Sequence, residues 1–219
     1  MICFLQARMN SRRLPGKSMK LVYNKPLVQY AIDRLNKSKR IKKIIVITSK
    51  KTFDDKIFKY CKQNKIIVFR GNLENVYQRY IKAIKYFKNN AFVRITGDSP
   101  NIDPNLVDKL IFKFNKNQFD IVTNCKNRTF PKGQSVEVIN SKTFLKTYRS
   151  IKNRKDYEHV TTFFYDNEKK FKIFSFENKK KFRRKNLSVD NLYDLKRFKN
   201  FLARKKNYSL RWKKIYENY

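Results

Sequence analysis

The sequence predicts an α/β protein whose largely parallel sheet is covered by helices on both faces. Short apolar runs rich in β-branched residues alternate with stretches whose apolar residues recur at helical spacing, and this alternation implies right-handed crossovers between parallel strands. The chain has 219 residues, of which 41% are hydrophobic and 15% aromatic, which is enough to bury one core and argues against disorder. We therefore expect a single domain that spans residues 1–219.

The individual elements follow from these local patterns. Strands are predicted at 2–5, 44–47, 66–69, 92–96, 119–123, 135–139 and 187–190, with one more inside the lysine-rich stretch 169–185. Helices are predicted at 26–35, 52–63, 74–87 and 141–148, and from residues 104 and 191 onward. Arg79 is predicted to lie off the apolar stripe of its helix, and Asp103 and Ser141 are the expected caps of theirs. The last dozen residues, basic and aromatic, are expected to pack on the domain or on a partner.

The first predicted strand ends in a loop that is rich in cations. Within ten residues this loop holds Arg8, Ser11, Arg12, Arg13 and Lys17, with Pro15-Gly16 as its turn. A loop after a parallel strand lies over the sheet edge where α/β proteins bind nucleotides. Because the four cations repel one another, we expect phosphates to bind among them. The alternative that the residues alone leave open is a solvated basic turn.

The loop matches neither of the two common glycine-rich phosphate motifs. Gly16-Lys17-Ser18 has the ending of a Walker P-loop, but Ser11 stands where that motif requires a glycine. The chain contains four glycines, and none are spaced as G-x-G-x-x-G. Side-chain cations, rather than a ring of backbone amides, are therefore expected to hold the phosphates.

The net charge is strongly positive, with 54 Lys and Arg against 17 Asp and Glu, or +37. Such a charge usually indicates nucleic acid or an anionic membrane as partner, but here the excess is mainly lysine spread along the chain, so nucleic-acid binding is not favoured. No segment approaches the roughly 18 apolar residues of a membrane span, and the apolar start is too short for a signal peptide. Three cysteines without a C-x-x-C pattern favour neither zinc nor disulfides, which is typical of a reducing cytoplasm.

Two aspartates stand where they can meet the basic loop. Asp98 follows the strand at 92–96 through Gly97, and Asp190 ends the predicted strand at 187–190. Mg²⁺ needs only one or two carboxylates when phosphate oxygens and waters complete its octahedron, so the pair predicts a Mg²⁺ site for a bound phosphate. An ion pair with the basic loop is the alternative. His159 is the one histidine, and a lone histidine is more often structural or exposed than functional.

Several segments together resemble a known family. They read Gln6-Ala7-Arg8-x-x-Ser11-x-Arg13-Leu14-Pro15-Gly16-Lys17, Phe69-Arg70-Gly71, Arg94-Ile95-Thr96-Gly97-Asp98-x-Pro100-x-Ile102-Asp103-Pro104, Val136-Glu137-Val138, Glu158-His159-Val160-Thr161 and Val189-Asp190. This set resembles the CMP-sugar synthetases, the cytidylyltransferases acting on 3-deoxy-manno-octulosonate and on acylneuraminates, and most of all the branch called spore coat polysaccharide biosynthesis protein F.

The resemblance implies a three-layer α/β/α Rossmann-like nucleotidyltransferase domain with a mostly parallel mixed sheet. The implied reaction joins CTP to a sugar acid or related hydroxyl acceptor, releases pyrophosphate and serves a surface polysaccharide. The implied nucleotide-binding residues are Ala7, Arg8, Arg13, Lys17 and Arg79, the implied Mg²⁺ ligands are Asp98 and Asp190, and the implied acceptor pocket holds Glu137, Glu158 and His159. Lys17, Arg13 and Asp98 are the expected catalytic residues, with a surface ion pair as the alternative role for Glu158 and His159.

Some positions depart from the family pattern, and other functions stay open. Arg12 and Asn10 replace smaller residues, and Gln134-Ser135 replace a leucine and an aspartate expected near the sugar. A nucleotide-sugar glycosyltransferase would need a D-x-D metal motif, which Asp98-Ser99-Pro100 lacks. A basic nucleic-acid-binding domain is a further alternative, but the chain has no recognition motif for it. The sequence leaves both a monomer and a homodimer open.

Overall fold

The computed structural model describes residues 1–182, 184–204 and 210–219. The strands are β1 Ile2–Gln6, β2 Leu21–Val22, β3 Lys25–Pro26, β4 Lys43–Ser49, β5 Ile67–Gly71, β6 Ala91–Thr96, β7 Ile121–Thr123, β8 Glu137–Asn140 and β9 Ile173–Ser175. The helices are α1 Leu27–Leu35, α2 Asp55–Gln63, α3 Val76–Phe87, α4 Pro104–Asn115, α5 Ser141–Thr147, α6 Arg154–Glu158, α7 Thr162–Asp166, α8 Leu192–Arg204 and α9 Trp212–Asn218.

Seven of the described strands form one mixed sheet in the order β5-β4-β1-β6-β8-β7-β9. The strands β5, β4, β1 and β6 run parallel, β8 is antiparallel to both of its neighbours, and β9 is parallel to β7. Because β4, β1 and β6 are neighbours that run in the same direction, the loops that follow these three strands leave the sheet at the same carboxyl edge. The predicted mostly parallel mixed sheet is confirmed.

The sheet is buried on both faces, which explains its continuous apolar runs. In β1, Cys3 and Leu5 pack on the face covered by α1, α2 and α4, whereas Phe4 packs on the opposite face with α3, α5 and α7. All three side chains are fully buried, and each large one contributes about 1.5–3 kcal/mol relative to an exposed position. The alternation of side chains along one strand thus produces the three layers.

One predicted strand is absent from the structure, and one predicted helix cap is wrong. Residues 187–190 form no strand, because the N–H of Leu187 donates to Lys132 O at 2.9 Å and that of Val189 donates to Asp98 O at 2.9 Å, both in loops. The cap of α5 is Asn140, whose side chain accepts from the N–H of Thr143, and Ser141 is the first helical residue. The sequence pattern identified these apolar runs but not their hydrogen-bond partners.

The predicted cap Asp103 is confirmed, and it has a second task. Its carboxylate accepts from the N–H of Asn105 at the start of α4 and, through the other oxygen, from the N–H of Trp212 at 2.9 Å. The aromatic C-terminal helix α9 therefore packs on the domain, where Trp212 contacts Phe130 and Phe182. Residues 208 and 209 of the predicted terminal segment lie outside the described residues. Among the helices that are described, none combines the length and the apolar character needed to cross a bilayer.

Candidate active site

The loop after β1 is folded by hydrogen bonds that converge on Met9. The carbonyl of Met9 accepts from the N–H of Ser11 at 2.9 Å and from the N–H of Gly16 at 2.8 Å. Gly16 adopts φ 71°, which a residue with a side chain enters only with strain. Ser18 Oγ donates to Arg8 O at 3.1 Å and closes the loop from its other end. We call residues 7–18 the phosphate loop.

Lys17 joins the phosphate loop to both predicted metal-binding carboxylates. Its Nζ lies 2.9 Å from Asp98 Oδ2 and 3.1 Å from Asp190 Oδ1, and it also donates to Val189 O at 3.3 Å. The Lys17 side chain is 14% exposed, Asp190 is 13% exposed and Asp98 is 26% exposed. Charged partners with so little water around them interact more strongly than surface ion pairs do. The two carboxylates predicted from separate parts of the chain thus meet at one cation.

Asp190 is the most strongly paired carboxylate of this group. Besides Lys17, it contacts Arg13, whose Nη2 lies 3.2 Å from Oδ1, and it accepts from Ser188 Oγ at 3.1 Å. Burial alone would raise the pKa of Asp190, but Lys17 and Arg13, with the hydrogen bond from Ser188, more than offset burial and hold that pKa below its ordinary value. Asp190 therefore stays ionised at neutral pH.

A cleft of about 640 Å³ opens above these residues at the carboxyl edge of β1 and β6. Arg8, which also lines the cleft, pairs with Glu158 at 3.2 Å between Nη2 and Oε1, and the exposed His159 follows Glu158. Of the site residues predicted from the sequence, those that line the cleft are Ala7, Arg8, Arg13, Lys17, Asp98, Glu158, His159 and Asp190. The exposed Arg12, one of the departures from the family pattern, lines it as well.

Glu137 does not line the cleft, contrary to the placement expected for it. It is 3% exposed, and its two carboxylate oxygens are occupied by Arg94 Nη1 and by the hydroxyl of Tyr165. Arg94 is the residue opposite Glu137 in the β6–β8 register, and Arg94 itself reaches the cleft. Burial would lower the pKa of Arg94, but Glu137 more than offsets this and raises it. Of these two paired residues, Arg94 lines the cleft, and Glu137 holds the Arg94 guanidinium in place.

Arg79 also lies outside the cleft, and its predicted position off the apolar stripe of α3 is wrong. The side chain is completely buried, and its Cγ lies against Gly71 at the end of β5. None of the described residues accepts a hydrogen bond from its Nε, Nη1 or Nη2. Burial lowers the pKa of Arg79 to about 10, and the nearby Tyr80 and Asp54 oppose this change. Helical spacing alone did not reveal that α3 is buried on this side as well.

The departure at Gln134-Ser135 belongs to the scaffold rather than to the cleft lining. Gln134 is fully buried, its Oε1 accepts from the N–H of Asp103 at 2.9 Å, and its Nε2 donates to Asn101 O at 2.6 Å. The hydroxyl of Ser135 accepts from Arg128 Nη1 at 3.3 Å. Gln134 thus ties the segment before β8 to the start of α4.

Two site residues were missed at the sequence level. Arg94 alternates with apolar residues in β6 as Glu137 does in β8, and this matching pattern on two strands was the available signal. Asp54 stands in a short turn of 3₁₀ helix, Thr52–Asp54, and its carboxylate accepts from the N–H of Met9 at 2.7 Å. Its position at the start of a helix suggests a cap, and nothing local connects it to a loop 45 residues earlier.

The sequence of this chain matches a known protein family over nearly its whole length. A family model described as cytidylyltransferase matches residues 2–218, so the chain belongs to the cytidylyltransferase family. The spore coat polysaccharide biosynthesis protein SpsF of Bacillus subtilis is 31% identical over 82% of this chain and 75% of SpsF. A 3-deoxy-manno-octulosonate cytidylyltransferase of Hydrogenovibrio crunogenus is 26% identical over 53% of this chain and 48% of that protein.

Solved structures show the same fold. A cytidylyltransferase from Leptospira borgpetersenii superposes with a TM-score of 0.94 at 30% identity, covering 99% of this chain and 92% of that one. The CMP:2-keto-3-deoxy-manno-octonic acid synthetase, solved in complex with CTP, superposes with a TM-score of 0.71 at 14% identity, covering 93% of this chain and 98% of that one. The predicted Rossmann-like nucleotidyltransferase fold is confirmed, and the protein is a nucleotidyltransferase of the cytidylyltransferase family.

Proposed function

We propose that this protein transfers CMP from CTP to a hydroxyl group of a sugar acid and releases pyrophosphate, with Mg²⁺ as cofactor. The observation that carries the proposal is the contact of Lys17 with both Asp98 and Asp190 inside the cleft. Cytidylyltransferase membership supports CTP as the nucleotide. The sugar-acid acceptor rests on the partial similarity to an enzyme named for 3-deoxy-manno-octulosonate.

We assign the residues of the cleft to two groups. Lys17 and Arg13 would contact the triphosphate and offset the charge that builds up on the departing pyrophosphate. Glu158 and His159 would face the acceptor, and Arg8, which pairs with Glu158, would contact the triphosphate from that side. The acceptor oxygen forms a bond to the α-phosphorus, the bond from that phosphorus to the pyrophosphate oxygen breaks, and the hydroxyl proton leaves to solvent.

The donor set suits Mg²⁺ bound together with a nucleotide. Asp98 and Asp190 supply oxygen ligands close enough to share one cation, and no cluster of three or more acidic, His or Cys side chains suited to a metal occurs among the described residues. Two carboxylates leave the remaining positions of the octahedron to phosphate oxygens and water, as Mg²⁺ prefers. When bound there, Mg²⁺ would neutralise phosphate charge.

We also propose that the CMP conjugate serves polysaccharide synthesis, on the strength of the similarity to SpsF. The cytoplasm is the proposed location, supported by the three cysteines, all of which are free thiols. A deletion strain that keeps its surface polysaccharide unchanged would contradict this role, whatever the outcome of the enzyme assays.

The test is pyrophosphate release with each of the four nucleoside triphosphates and a panel of acceptors. The panel holds 3-deoxy-manno-octulosonate, its 8-amino-8-deoxy analogue and N-acetylneuraminate, each with magnesium chloride or with EDTA. We expect release that requires CTP, one of these acids and Mg²⁺. Release that persists in EDTA would contradict the metal assignment, and the absence of a CMP conjugate with every acid would overturn the acceptor class.

Two variants complete this test. Asp98→Asn should lower the rate about 100-fold or more, because it removes one of the two carboxylates proposed to hold Mg²⁺. Asp55→Asn is the matched control, since Asp55 lies on α2 outside the cleft and pairs there with Arg70 of β5. It should keep the wild-type rate within about twofold.

A further inference from the structure

Asp54 is a buried carboxylate whose two oxygens connect different parts of the chain. Its Oδ1 accepts from the N–H of Met9 in the phosphate loop at 2.7 Å. Its Oδ2 accepts from the N–H of Ser49 at 3.1 Å and from the hydroxyl of Ser49 at 2.5 Å, at the end of β4. The residue is 0% exposed, so these contacts are shielded from water.

The contact with Met9 reaches the centre of the phosphate loop. The carbonyl of Met9 accepts from the N–H groups of Ser11 and Gly16, and the segment between these two residues contains Arg12 and Arg13. The N–H of Met9 shares its peptide plane with the carbonyl of Arg8, and that carbonyl accepts from Ser18 Oγ at 3.1 Å, so Asp54 and Ser18 hold the two sides of the peptide that leads into the turn. The pairing of β1 with β4 ends just before Met9, with the N–H of Ala7 donating to Ile47 O at 3.1 Å. Asp54 extends this attachment of β1 to β4 beyond the last ladder bond.

We propose that Asp54 is the positioning residue that holds the phosphate loop in the conformation that binds the triphosphate. A buried carboxylate that accepts backbone N–H groups forms charge-assisted hydrogen bonds, which are shorter and more directional than those between neutral groups. Because Asp54 takes the N–H of Met9, that amide is not available to a phosphate. The phosphate contacts of the loop then come from Arg8, Arg13 and Lys17, and Asp54 acts on the nucleotide only through the loop.

This inference rests on the proposed function, and a purely structural role for Asp54 is the alternative to be tested. The main variant is Asp54→Asn, which keeps the size of the side chain but replaces one acceptor oxygen by an N–H₂ donor. Either Met9 or Ser49 then has its N–H facing another donor. The matched control is Asp55→Asn, the neighbouring carboxylate, whose partner is Arg70 at 2.6 Å. Ser49→Ala is a second control, since it removes one donor to Asp54 and leaves the bond to Met9.

The measurements are CTP affinity by titration calorimetry in magnesium chloride and thermal midpoints of the same samples, with binding measured well below every midpoint. For Asp54→Asn we expect CTP affinity to fall at least tenfold, whereas Asp55→Asn and Ser49→Ala should stay within threefold of wild type. A purely structural role would lower the midpoint of Asp54→Asn and leave the affinity of the folded molecules unchanged. A folded Asp54→Asn protein that binds CTP within threefold of wild type would overturn the inference.

The wild-type protein provides a readout that does not depend on the variants folding. Hydrogen exchange at the amide of Met9 should be as slow as in β1, although Met9 lies in a loop. Exchange as fast as at the exposed Asn10 would overturn the inference even if Asp54→Asn failed to fold. Failure of the proposed function has a different signature, because the wild-type protein itself would then bind no CTP, and the role of Asp54 in nucleotide binding would fail with it.

Discussion

Lys17 and Asp98 are separated by 81 positions in the chain, yet their charged groups lie 2.9 Å apart. The reason is the adjacency of β1 and β6 in the parallel sheet, which brings the two following loops to one edge. Asp190 reaches the same point by another route, since the N–H of Val189 donates to the carbonyl of Asp98. One backbone hydrogen bond therefore holds together the two loops that carry Asp98 and Asp190, and Lys17 bridges the side chains of these two residues.

Lys17→Met should abolish most of the activity while leaving the fold intact. The change removes the cation that contacts both carboxylates and the proposed triphosphate, so we expect the rate of CTP-dependent pyrophosphate release to fall about 100- to 1,000-fold. Lys20→Met is the control, because Lys20 is exposed outside the cleft and should keep the rate within about twofold. Equal losses in both variants would contradict the role of Lys17.

The stability contribution of Asp190 should disappear at acid pH. Its pKa in the folded protein lies below the ordinary value of about 3.9, so its contribution is fully present above that value and is lost as the pH falls through the lower folded pKa. Urea unfolding of wild type and Asp190→Asn should give a constant difference above about pH 5 and a shrinking one below about pH 4. Lys17→Met should flatten this dependence, and a difference that grows on acidification would contradict the assignment.

Gly133→Ala should be much more destabilising than Gly16→Ala, although both glycines have positive φ. A Cβ on Gly133, at φ 86°, would lie 2.5 Å from the backbone of Leu187 and Ser188, in the segment that carries Asp190. We expect a loss of about 3 kcal/mol or more and reduced activity. A Cβ on Gly16 would meet only the terminal methyl of Met9 at 3.3 Å, and about 1–2 kcal/mol is expected. Denaturant unfolding compares the two, and similar costs would contradict the prediction.

Tyr165→Phe should cost more stability than an ordinary buried hydroxyl does. The hydroxyl of Tyr165 donates to the buried carboxylate of Glu137 at 2.5 Å, so we expect a loss of about 1.5–3 kcal/mol in the free energy of unfolding. Burial and Glu137 raise the pKa of Tyr165 well above its usual value, so the hydroxyl stays protonated as a donor. The control is Tyr157→Phe, which loses a bond to the neutral carbonyl of Ile151 and should cost about 1 kcal/mol. Equal costs would count against the charged acceptor.

Arg79→Met should stabilise the protein at neutral pH. The buried guanidinium has no acceptor among the described residues, and replacing such a group by an apolar one of similar length is expected to gain about 1–4 kcal/mol. Because its folded pKa of about 10 lies below the unfolded value of 12.5, the penalty is full at pH 7, begins to be relieved near pH 10 and disappears only above the unfolded value. Urea unfolding of wild type and Arg79→Met should show the full difference at pH 7 and a smaller difference at about pH 11, between the folded and the unfolded pKa.

The control for Arg79 is a buried arginine that is satisfied. Arg34 donates to the carbonyls of Ile102 at 2.5 Å and Leu210 at 2.8 Å, so Arg34→Met should destabilise the protein. A destabilised Arg79→Met variant would refute the assignment of an unpaired guanidinium. CTP titration of the same variant tests the nucleotide-binding role that the family resemblance implies for Arg79.

Local patterns were sufficient for much of the fold and part of the site. The apolar run of β1, the basic loop after it, the exit at Gly97-Asp98 and the cap at Asp103 each depend on a few neighbouring residues. Strand and helix periods report burial, and turn residues report where a strand ends, so these features can be read without knowing the rest of the chain. Asp190 was predicted as the end of a strand that the structure does not form, and the family resemblance added the acceptor side of the cleft.

The tertiary structure alone decided which charges meet. The inward position of Glu137, the burial of Arg79, the bridge of Lys17 between two aspartates and the link from Asp54 to Met9 all join residues far apart in sequence. An isolated charged residue has the same local pattern whether it faces water, a ligand or a buried partner. Its role is set by the groups that the sheet order places within about 3 Å, because electrostatic and hydrogen-bond energies depend on that distance and on the exclusion of water.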